Sequence, residues 1–538
     1  MSIQAIESPT PARWREAVRG RRWSAHATGV AAVTALIAAI YAVFSLVLYA
    51  TYRDSSYDLV IFDQAVRSYA HFHPGISIIK GVHNGFGRNF SLLGDHFSPI
   101  LAALAPLYWI YNGPQTLLVA QAVLFALAIP WLWVFTRRAL GGGWRATTAA
   151  YLVSVAYGLS WPLAAAAAFD FHEVAFAPVL TAVALERFQA GRLRSALVAL
   201  GLLLLVKEDM GLLVAGIGLW LILSRTPTLR RQRLVGSGLV AAGLAYSVLA
   251  TYVLIPAFGG RADYYWAYSA FGSDVPQAAS YLLRHPLIAL KTMVSPAAKL
   301  RTMKWLLAIF CFLPLLSPIV VIVLPLLAER MLNSRYPNWW VPHFQYNAYL
   351  VVPLACAAAD GAARLDRLAR RAWVSLQVMM ARKPEAREQA TTLPAGAVAL
   401  ACCAAIFAAT FVALPRFPLG EALHANFYQQ TTRSLAAAAA DARVPSGVQV
   451  EAANGLGPEL SSRDTVLMWD GEHPPLGSPW VVADVRRLEM TFTSVAAQRA
   501  RVQLLLRSGY VIVFSRDGYL VLHRIRRAAP VPSPGGHA

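Results

Sequence analysis

Long uninterrupted apolar runs are the feature that most constrains this chain. The runs at 27–50, 115–136 and 393–414 are each long enough to cross a hydrocarbon core of about 30 Å as a helix. The whole chain is 57% hydrophobic and 14% charged, whereas soluble domains carry roughly 25% charged residues. These values exclude an ordinary soluble enzyme and predict a polytopic membrane protein.

Basic residues indicate how such a chain would be oriented. The net charge is +20, from 48 Lys and Arg against 28 Asp and Glu, and the basic residues cluster at 13–22, 137–145, 187–194, 225–233 and 364–387. Because Lys and Arg concentrate on cytoplasmic loops, we assign these clusters to the cytoplasm, with an N-terminal cytoplasmic tail over 1–26. This placement explains the charge through membrane topology, and no nucleic-acid partner is predicted.

The order of basic clusters and apolar runs along the chain gives a count of membrane spans. The predicted fold is a membrane all-α bundle of about eleven transmembrane helices within 27–414. The stretch 97–112 is short and contains two prolines, so we expect an interfacial helix in the first outer loop. The predicted spans are 27–50, 115–136, 146–167, 174–186, 195–206, 210–224, 235–256, 303–316, 318–331, 346–359 and 393–414.

The region after the last span is predicted to be a small extracytoplasmic α/β domain over 415–528, followed by a disordered tail at 529–538. A helix is expected at 492–508, and Asp517-Gly518 predicts a hairpin turn between the last two strands. The predicted strands are 448–452, 465–469, 480–483, 510–514 and 519–523.

Placing ionisable side chains at membrane depth costs about 2.5–3.5 kcal/mol each at the centre of a helix. In this chain they fall on loops that the predicted topology places on the outer side, so we expect several loops to converge there. The candidate catalytic residues are Asp58 and Asp63. The candidate substrate-binding residues are Asp95, His96, Asp170, His172, Glu173, Lys207, Glu208, Asp209 and Arg335.

Asp58 and Asp63 lie in the first outer loop. If this segment is helical, the two carboxylates point roughly 140° apart, so only one can face a given cavity. A carboxylate there could act as a general base toward a hydroxyl group, could ligate a cation, or could be one of a solvated pair. The neighbouring Leu59, Val60, Ile61 and Phe62 favour burial.

Two basic residues are candidates for binding a phosphate group. Lys207 lies between two short predicted spans beside Glu208 and Asp209, and Arg335 can bind phosphate bidentately. The alternative is that the Lys207 cluster neutralises itself structurally. No cofactor is predicted, and a divalent cation held by the carboxylates is left as an alternative.

Four strings carry a family resemblance: YDLVIFDQ, GDHFSPILAALAPLY, FDFHEVAFAP and LLVKEDMGL. They resemble those of an uncharacterised bacterial predicted-membrane-protein family grouped with the C-type (GT-C) integral-membrane glycosyltransferases. A signal anchor, a long acidic first outer loop, many spans and an outer C-terminal domain are also similar to that superfamily. The resemblance covers roughly 27–360.

The resemblance implies a multi-pass enzyme of the bacterial plasma membrane that moves a sugar, with inversion, from a polyprenyl-phosphate-linked donor. The acceptor would be a cell-envelope glycan, lipid or protein on the extracytoplasmic face. The superfamily's first-loop base carries over best to Asp58, with Asp63 second, although here the two residues are five apart rather than adjacent. The alternatives are a transporter or lipid flippase, and a non-catalytic envelope scaffold.

Overall fold

The computed structural model describes residues 25–224, 231–380 and 391–525. The predicted basic tail, apart from residues 25 and 26, and the predicted C-terminal tail lie outside these ranges, as do 225–230 and 381–390. Twenty α-helices of five or more residues, numbered α1 to α20 in chain order, are found in this part of the chain. They are Ala25–Ala50, Ile61–Ala70, Ile78–His83, Gln115–Ala126, Ile129–Ala139, Gly143–Gly158, Trp161–Ala167, Phe176–Gln189, Leu193–Leu204, Met210–Leu223, Gln232–Leu249, Val275–Arg284, Pro286–Val294, Ala297–Ala308, Leu324–Leu332, Ala348–Met380, Ala397–Ala413, Thr432–Asp441, Gly457–Ser461 and Val495–Arg507.

Six helical segments in the described ranges are long and apolar enough to cross a membrane. They are Ala25–Ala50, Gln115–Ala139, Gly143–Ala167, Gln232–Ala257, Gln345–Met380 and Ala397–Arg416. The predicted count of eleven is not confirmed. The predicted spans at 195–206 and 210–224 are the shorter apolar helices α9 and α10.

Two other predicted spans are broken. At 303–316, α14 ends at Ala308, and Cys311 and Phe312 adopt left-handed conformations before a short 3₁₀ turn. At 318–331, a 3₁₀ segment precedes α15. Prolines at 314, 318 and 325 remove amide donors and fix φ, which accounts for the interruptions in these apolar stretches. The expected helix at 97–112 is likewise a 3₁₀ turn at Pro99–Leu104 followed by one short helix, Ala105–Tyr108.

Close backbone contact joins α10 to α11. A Cβ atom at Gly211 would lie 2.3 Å from the carbonyl oxygen of Gly243, and one at Gly243 would lie 2.3 Å from that of Gly211. Only glycine permits this approach, which is the small-residue packing typical of membrane helices. Since α10 begins just after Lys207, Glu208 and Asp209, this packing fixes where those charges lie.

The C-terminal region forms a five-stranded sheet. The strands are β1 Gln449–Ala452, β2 Thr465–Met468, β3 Trp480–Asp484, β4 Tyr510–Arg516 and β5 Tyr519–Arg524, in the order β2-β1-β3-β5-β4. β1 is parallel to β2 and β3, and β5 is antiparallel to β3 and β4. Asp517 and Gly518 both have positive φ, 48° and 88°, as a type I′ hairpin requires.

The sheet region, residues 432–525, packs on the segment that follows α1. The Gln64 side-chain amide donates to the Val466 carbonyl at 2.9 Å, and Arg88 donates to the Gln449 side chain at 2.7 Å. The sheet region and the polar loops therefore lie at the same end of the helices, which we call the site end.

Candidate functional site

Asp58 lies in a π-helical turn, Ser56–Val60, that leads into α2. Its Oδ1 is 3.4 Å from Nε2 of His172, and its side chain remains 23% exposed. The His172 ring stacks on Phe169 and meets Phe62 edge to face, with centroids 5.4 Å apart in each case. Asp58 is thus a partly accessible carboxylate held against a packed imidazole.

The loop that carries His172 is fixed from both sides. Asp170 has a left-handed backbone, with φ of 56°, and its carbonyl accepts a hydrogen bond from the Gln121 side chain at 2.8 Å. Gln121 in turn accepts from the His172 amide at 3.3 Å. The Asp170 carboxylate accepts from the Ser55 amide at 3.1 Å, so the loops bearing Asp58 and His172 are joined directly.

Lys207 contacts Glu173, the residue that follows His172. Its Nζ is 3.4 Å from Oε1 of Glu173, and 5.8 Å from the centre of the Tyr346 ring. Burial acts to lower the pKa of Lys207, but the carboxylates of Glu173, Asp209 and Glu208 raise it well above its usual value. The Lys207 side chain is therefore a buried group whose surroundings favour its charged form, and its partner Glu173 is the residue that follows His172.

A second group of charged side chains contains Glu208, His96 and Asp95. Nδ1 of His96 is 2.7 Å from Glu208, and the ring of His96 stacks on Tyr265 with centroids 5.0 Å apart. Although burial and Lys207 act to lower the pKa of His96, Glu208 and Asp95 raise it. The Asp95 carboxylate accepts from the Tyr265 hydroxyl at 2.8 Å.

Lys80 was not identified from the sequence, yet it completes this group. Its Nζ is 3.0 Å from Asp95 and 5.6 Å from the ring centres of Tyr57, Tyr264 and Tyr265. Burial acts to lower the pKa of Lys80, but Asp95 and the tyrosines raise it. Its only sequence signal is rarity, since the chain has six lysines in all.

Asp63 lies apart from these groups. It is fully buried, 0% exposed, and accepts hydrogen bonds from the Tyr108 hydroxyl at 2.8 Å, from Arg67 at 3.0 Å and from the Ser461 hydroxyl. Burial raises its pKa, while Arg67 acts in the opposite direction. The two acidic residues of the first loop therefore face different surroundings, as the predicted angle between them requires.

Asp209 and Arg335 are the remaining predicted residues. Asp209 precedes α10, and its Oδ1 is buried without a hydrogen-bond partner among the described residues; burial raises its pKa to about 6. The Arg335 guanidinium lies over Tyr336, 5.2 Å from the ring centre, and contacts the Trp266 carbonyl at 3.4 Å. Arg335 is exposed, and within the described ranges it forms no salt bridge with the charged groups above.

Two buried carboxyl groups meet behind Asp58. Burial, followed by the neighbouring Asp170, raises the pKa of Asp54 well above its usual value. Burial, followed by Asp58, raises the pKa of Asp170 to about 7. Because two adjacent buried carboxylates repel each other, this pair favours holding a proton.

One cluster has the residue types of a metal site. Ligand atoms of His83, Asp470 and His473 all lie within 4.8 Å of one another. However, Nε2 of His83 accepts a hydrogen bond from the Met468 amide at 2.9 Å, so its Nδ1 carries the proton that faces Asp470. A ring in this tautomer has no free lone pair for a cation, and the cluster acts as a hydrogen-bonded link between α3 and the sheet region.

The groups described above thus include the partly accessible Asp58 carboxylate, two buried lysines and several neighbouring aromatic rings. Such a set could accept a proton at Asp58 and stabilise negative charge that develops near Lys207 or Lys80. The fold and these groups together define a polytopic helical membrane protein with a cluster of buried charged groups at one end of its helices.

The chain belongs to a family described as predicted membrane protein (DUF2079), whose profile matches residues 49–521. This match confirms the family resemblance identified from the four sequence strings. No curated protein matches the chain. Among solved structures, the chain is similar to ArnT from Cupriavidus metallidurans in the apo state, with 14% identity and a TM-score of 0.43, over 91% of this chain and 98% of that one.

Proposed function

We propose that this protein is a membrane glycosyltransferase of the bacterial plasma membrane. It would take a sugar from a polyprenyl-phosphate-linked donor and pass it to a cell-envelope acceptor on the extracytoplasmic face. The observation that carries the proposal is a partly accessible Asp58 carboxylate, 23% exposed, that contacts His172, while the next residue, Glu173, holds the buried Lys207 cation.

Asp58 is the proposed base. Its carboxylate takes the proton of an acceptor hydroxyl while the hydroxyl oxygen attacks the anomeric carbon of the donor sugar. The bond from that carbon to the phosphate oxygen breaks on the opposite face, so the configuration inverts and polyprenyl phosphate leaves. His172, at 3.4 Å, orients the carboxylate.

The leaving phosphate requires positive charge in a partly dry site. Lys207 and Lys80 both lie at the site end and stay protonated because neighbouring carboxylates hold their charge. Glu173 and Asp95 position these lysines through contacts of 3.4 Å and 3.0 Å. Tyrosine rings around Lys80 exclude water and leave its charge less screened.

The orientation follows from the proposed donor. Nucleotide sugars are not available outside the cytoplasm, whereas a lipid-linked sugar is, so the site end is proposed to be extracytoplasmic. The sheet region and the predicted domain over 415–528 would then lie outside the cell, as the basic clusters also favour.

The test is transfer from a panel of labelled polyprenyl-phosphate sugars by the full chain in lipid nanodiscs, with a cell-envelope extract as acceptor. We expect Asp58→Asn to reduce the rate by about 10²- to 10⁴-fold, the usual range for loss of a general base. Asp263→Asn is the matched control, because its side chain is 77% exposed and, in the part of the chain that the structure describes, pairs only with Arg261. No donor consumption by wild type, or equal rates for wild type and Asp58→Asn, would overturn the proposal.

A further inference from the structure

A groove lies between α5 and α8, away from the site end. Its volume is about 450 Å³. α8 begins at Phe176, just after the Glu173 of the candidate site, and ends at Gln189 in the groove. At 1.5 Å per residue, its 14 residues place the groove about 20 Å along the helix, at the opposite end of the bundle.

The groove has an excess of positive charge. Three arginines line it, Arg138, Arg187 and Arg192, against a single carboxylate, Glu186. Glu186 is 1% exposed and pairs with Arg138 at 2.9 Å and with Nε of Arg187. After this pairing the described lining keeps a net charge of two positive units.

Two of these arginines, Arg138 and Arg187, are held in place by neighbouring side chains. Arg138 also donates to the Gln189 side chain at 3.1 Å, and the Arg187 guanidinium lies over the Trp131 ring, 4.7 Å from its centre. A solvated arginine at a membrane surface needs no buried carboxylate to fix its position. The arrangement is therefore organised in advance for a planar, bidentate contact with an oxyanion.

The face of α5 that borders the groove at Val134 and Arg138 continues to Trp131, beyond the groove lining. Trp131, Val134 and Arg138 follow one another at spacings of three and four residues, so they share one face of the helix. Over about 10 Å this face passes from half-buried apolar side chains to a guanidinium at the helix end. An amphiphile with an anionic headgroup would match both the apolar part and the guanidinium part of this face. A free phosphate would match only the guanidinium part.

We propose that this groove binds an anionic phospholipid, with the headgroup phosphate on Arg187, Arg138 and Arg192 and an acyl chain along Trp131 and Val134. The assignment is independent of the proposed transferase activity, because none of these residues belongs to the site end. Basic pockets between membrane helices are sites where anionic lipid headgroups bind.

The experiment is native mass spectrometry of the delipidated full chain, titrated with phosphatidylglycerol, with phosphatidylcholine of the same acyl chains and with soluble glycerol phosphate. We expect phosphatidylglycerol to bind about tenfold more tightly than phosphatidylcholine, and glycerol phosphate to bind far more weakly. Arg187→Gln and Arg192→Gln should each remove most of this preference.

Arg145→Gln is the control variant. Arg145 lies at the same end of the helices, stacks on Trp144 at 4.8 Å and does not line the groove, so its loss should leave the preference unchanged. Arg187→Gln leaves the buried Glu186 with one partner fewer and could unfold, whereas Arg192 is exposed and Arg192→Gln should fold normally. Equal binding of the two lipids, an equal loss in Arg145→Gln, an unchanged preference in Arg192→Gln, or tight binding of glycerol phosphate would each overturn the proposal.

Discussion

The main-chain carbonyl of Asn454 accepts hydrogen bonds from both the amide and the hydroxyl of Ser56, at 2.7 and 2.8 Å. The Asn454 side-chain oxygen accepts from the next amide, that of Tyr57, at 3.0 Å. The Asn454 amide is itself anchored on Glu489 at 2.7 Å. A residue of the sheet region, 396 positions from Asp58, therefore satisfies the first amides of the turn that carries it.

Asn454→Ala should loosen this turn without undocking the sheet region. The variant removes only the acceptor of the Tyr57 amide, and leaving a buried donor unpaired costs about 1–3 kcal/mol. A free-energy difference of about 1.4 kcal/mol changes an equilibrium constant tenfold. We therefore expect the Tyr57 amide to exchange with deuterium roughly 5- to 100-fold faster. The measurement is hydrogen exchange of the peptide that contains 55–60.

Gln449→Ala provides the comparison for this variant. It removes the 2.7 Å contact with Arg88 across the same interface but does not touch the turn. Exchange at Tyr57 should stay slow in Gln449→Ala; acceleration of the same size in both variants would mean that the Asn454 contact has no specific effect on the turn.

Local patterns were sufficient to predict the sheet region. All five strands and the Asp517-Gly518 hairpin are present, with strand ends within two residues of the prediction, because short apolar runs and the turn residues that bound them are encoded within a few positions. The convergence of the Asp58, His172 and Lys207 loops also follows from the alternation of basic clusters, since topology places those loops at one end.

Contacts between distant segments could not be predicted in this way. Lys80 and Asn454 each act through side chains that no periodicity marks, and their partners lie 185 and 397 positions away in Tyr265 and Tyr57. The predicted span count is not confirmed, for a related reason. Proline and short apolar stretches give the same hydropathy whether the backbone is a continuous helix or a broken one buried in protein.

Asp63→Asn should affect stability rather than chemistry. An amide cannot accept from Arg67, Tyr108 and Ser461 as a carboxylate does, and the Arg67 guanidinium, 20% exposed, would lose its 2.8 Å partner. Breaking such a buried pair costs about 3–5 kcal/mol, so we expect a lower unfolding temperature.

Ser461→Ala tests the same anchor more mildly. It removes one hydrogen bond to Asp63, for which we expect a loss of about 1 kcal/mol. Transfer by the fraction of Asp63→Asn that remains folded should match wild type. A rate that collapses in Asp63→Asn while its unfolding temperature is unchanged would identify Asp63, and not Asp58, as the base.

The Asp54 and Asp170 pair predicts how stability varies with pH. The pKa of Asp170 is raised to about 7 in the folded protein, first by burial and then by Asp58. A carboxyl group whose pKa is raised by folding makes its full contribution to stability below its pKa in the unfolded chain, near 4. This contribution is lost as pH rises through the folded-state pKa of about 7. We therefore expect the unfolding temperature to fall between pH 5 and pH 8.

Asp54→Asn removes one of the two like charges while keeping the shape of the side chain. The unfolding temperature of Asp54→Asn should therefore fall less between pH 5 and pH 8 than that of the wild type. At pH 8 we expect the pH-dependent loss of unfolding free energy to be smaller by about 1–2 kcal/mol. The check is thermal unfolding of both proteins at pH 5, 6, 7 and 8. Parallel curves would show that Asp54 does not share the titration of Asp170.

Lys80→Gln tests whether the buried lysine serves the donor or only the fold. The change removes the cation among Tyr57, Tyr264 and Tyr265, so binding of a polyprenyl phosphate should weaken by at least about tenfold, the effect of losing one charge-assisted contact. It also leaves Asp95 as a buried carboxylate without its 3.0 Å partner, which should lower the unfolding temperature.

The double variant Lys80→Gln with Asp95→Asn separates the two effects. Neutralising both partners removes the unpaired charge, and a neutral pair in place of a buried salt bridge is often close to neutral in stability. We expect the unfolding temperature to recover towards the wild-type value, while polyprenyl phosphate binding, measured by native mass spectrometry, stays weak. Recovery of binding together with stability would show instead that Lys80 acts only by neutralising Asp95, and that the phosphate must be held by Lys207.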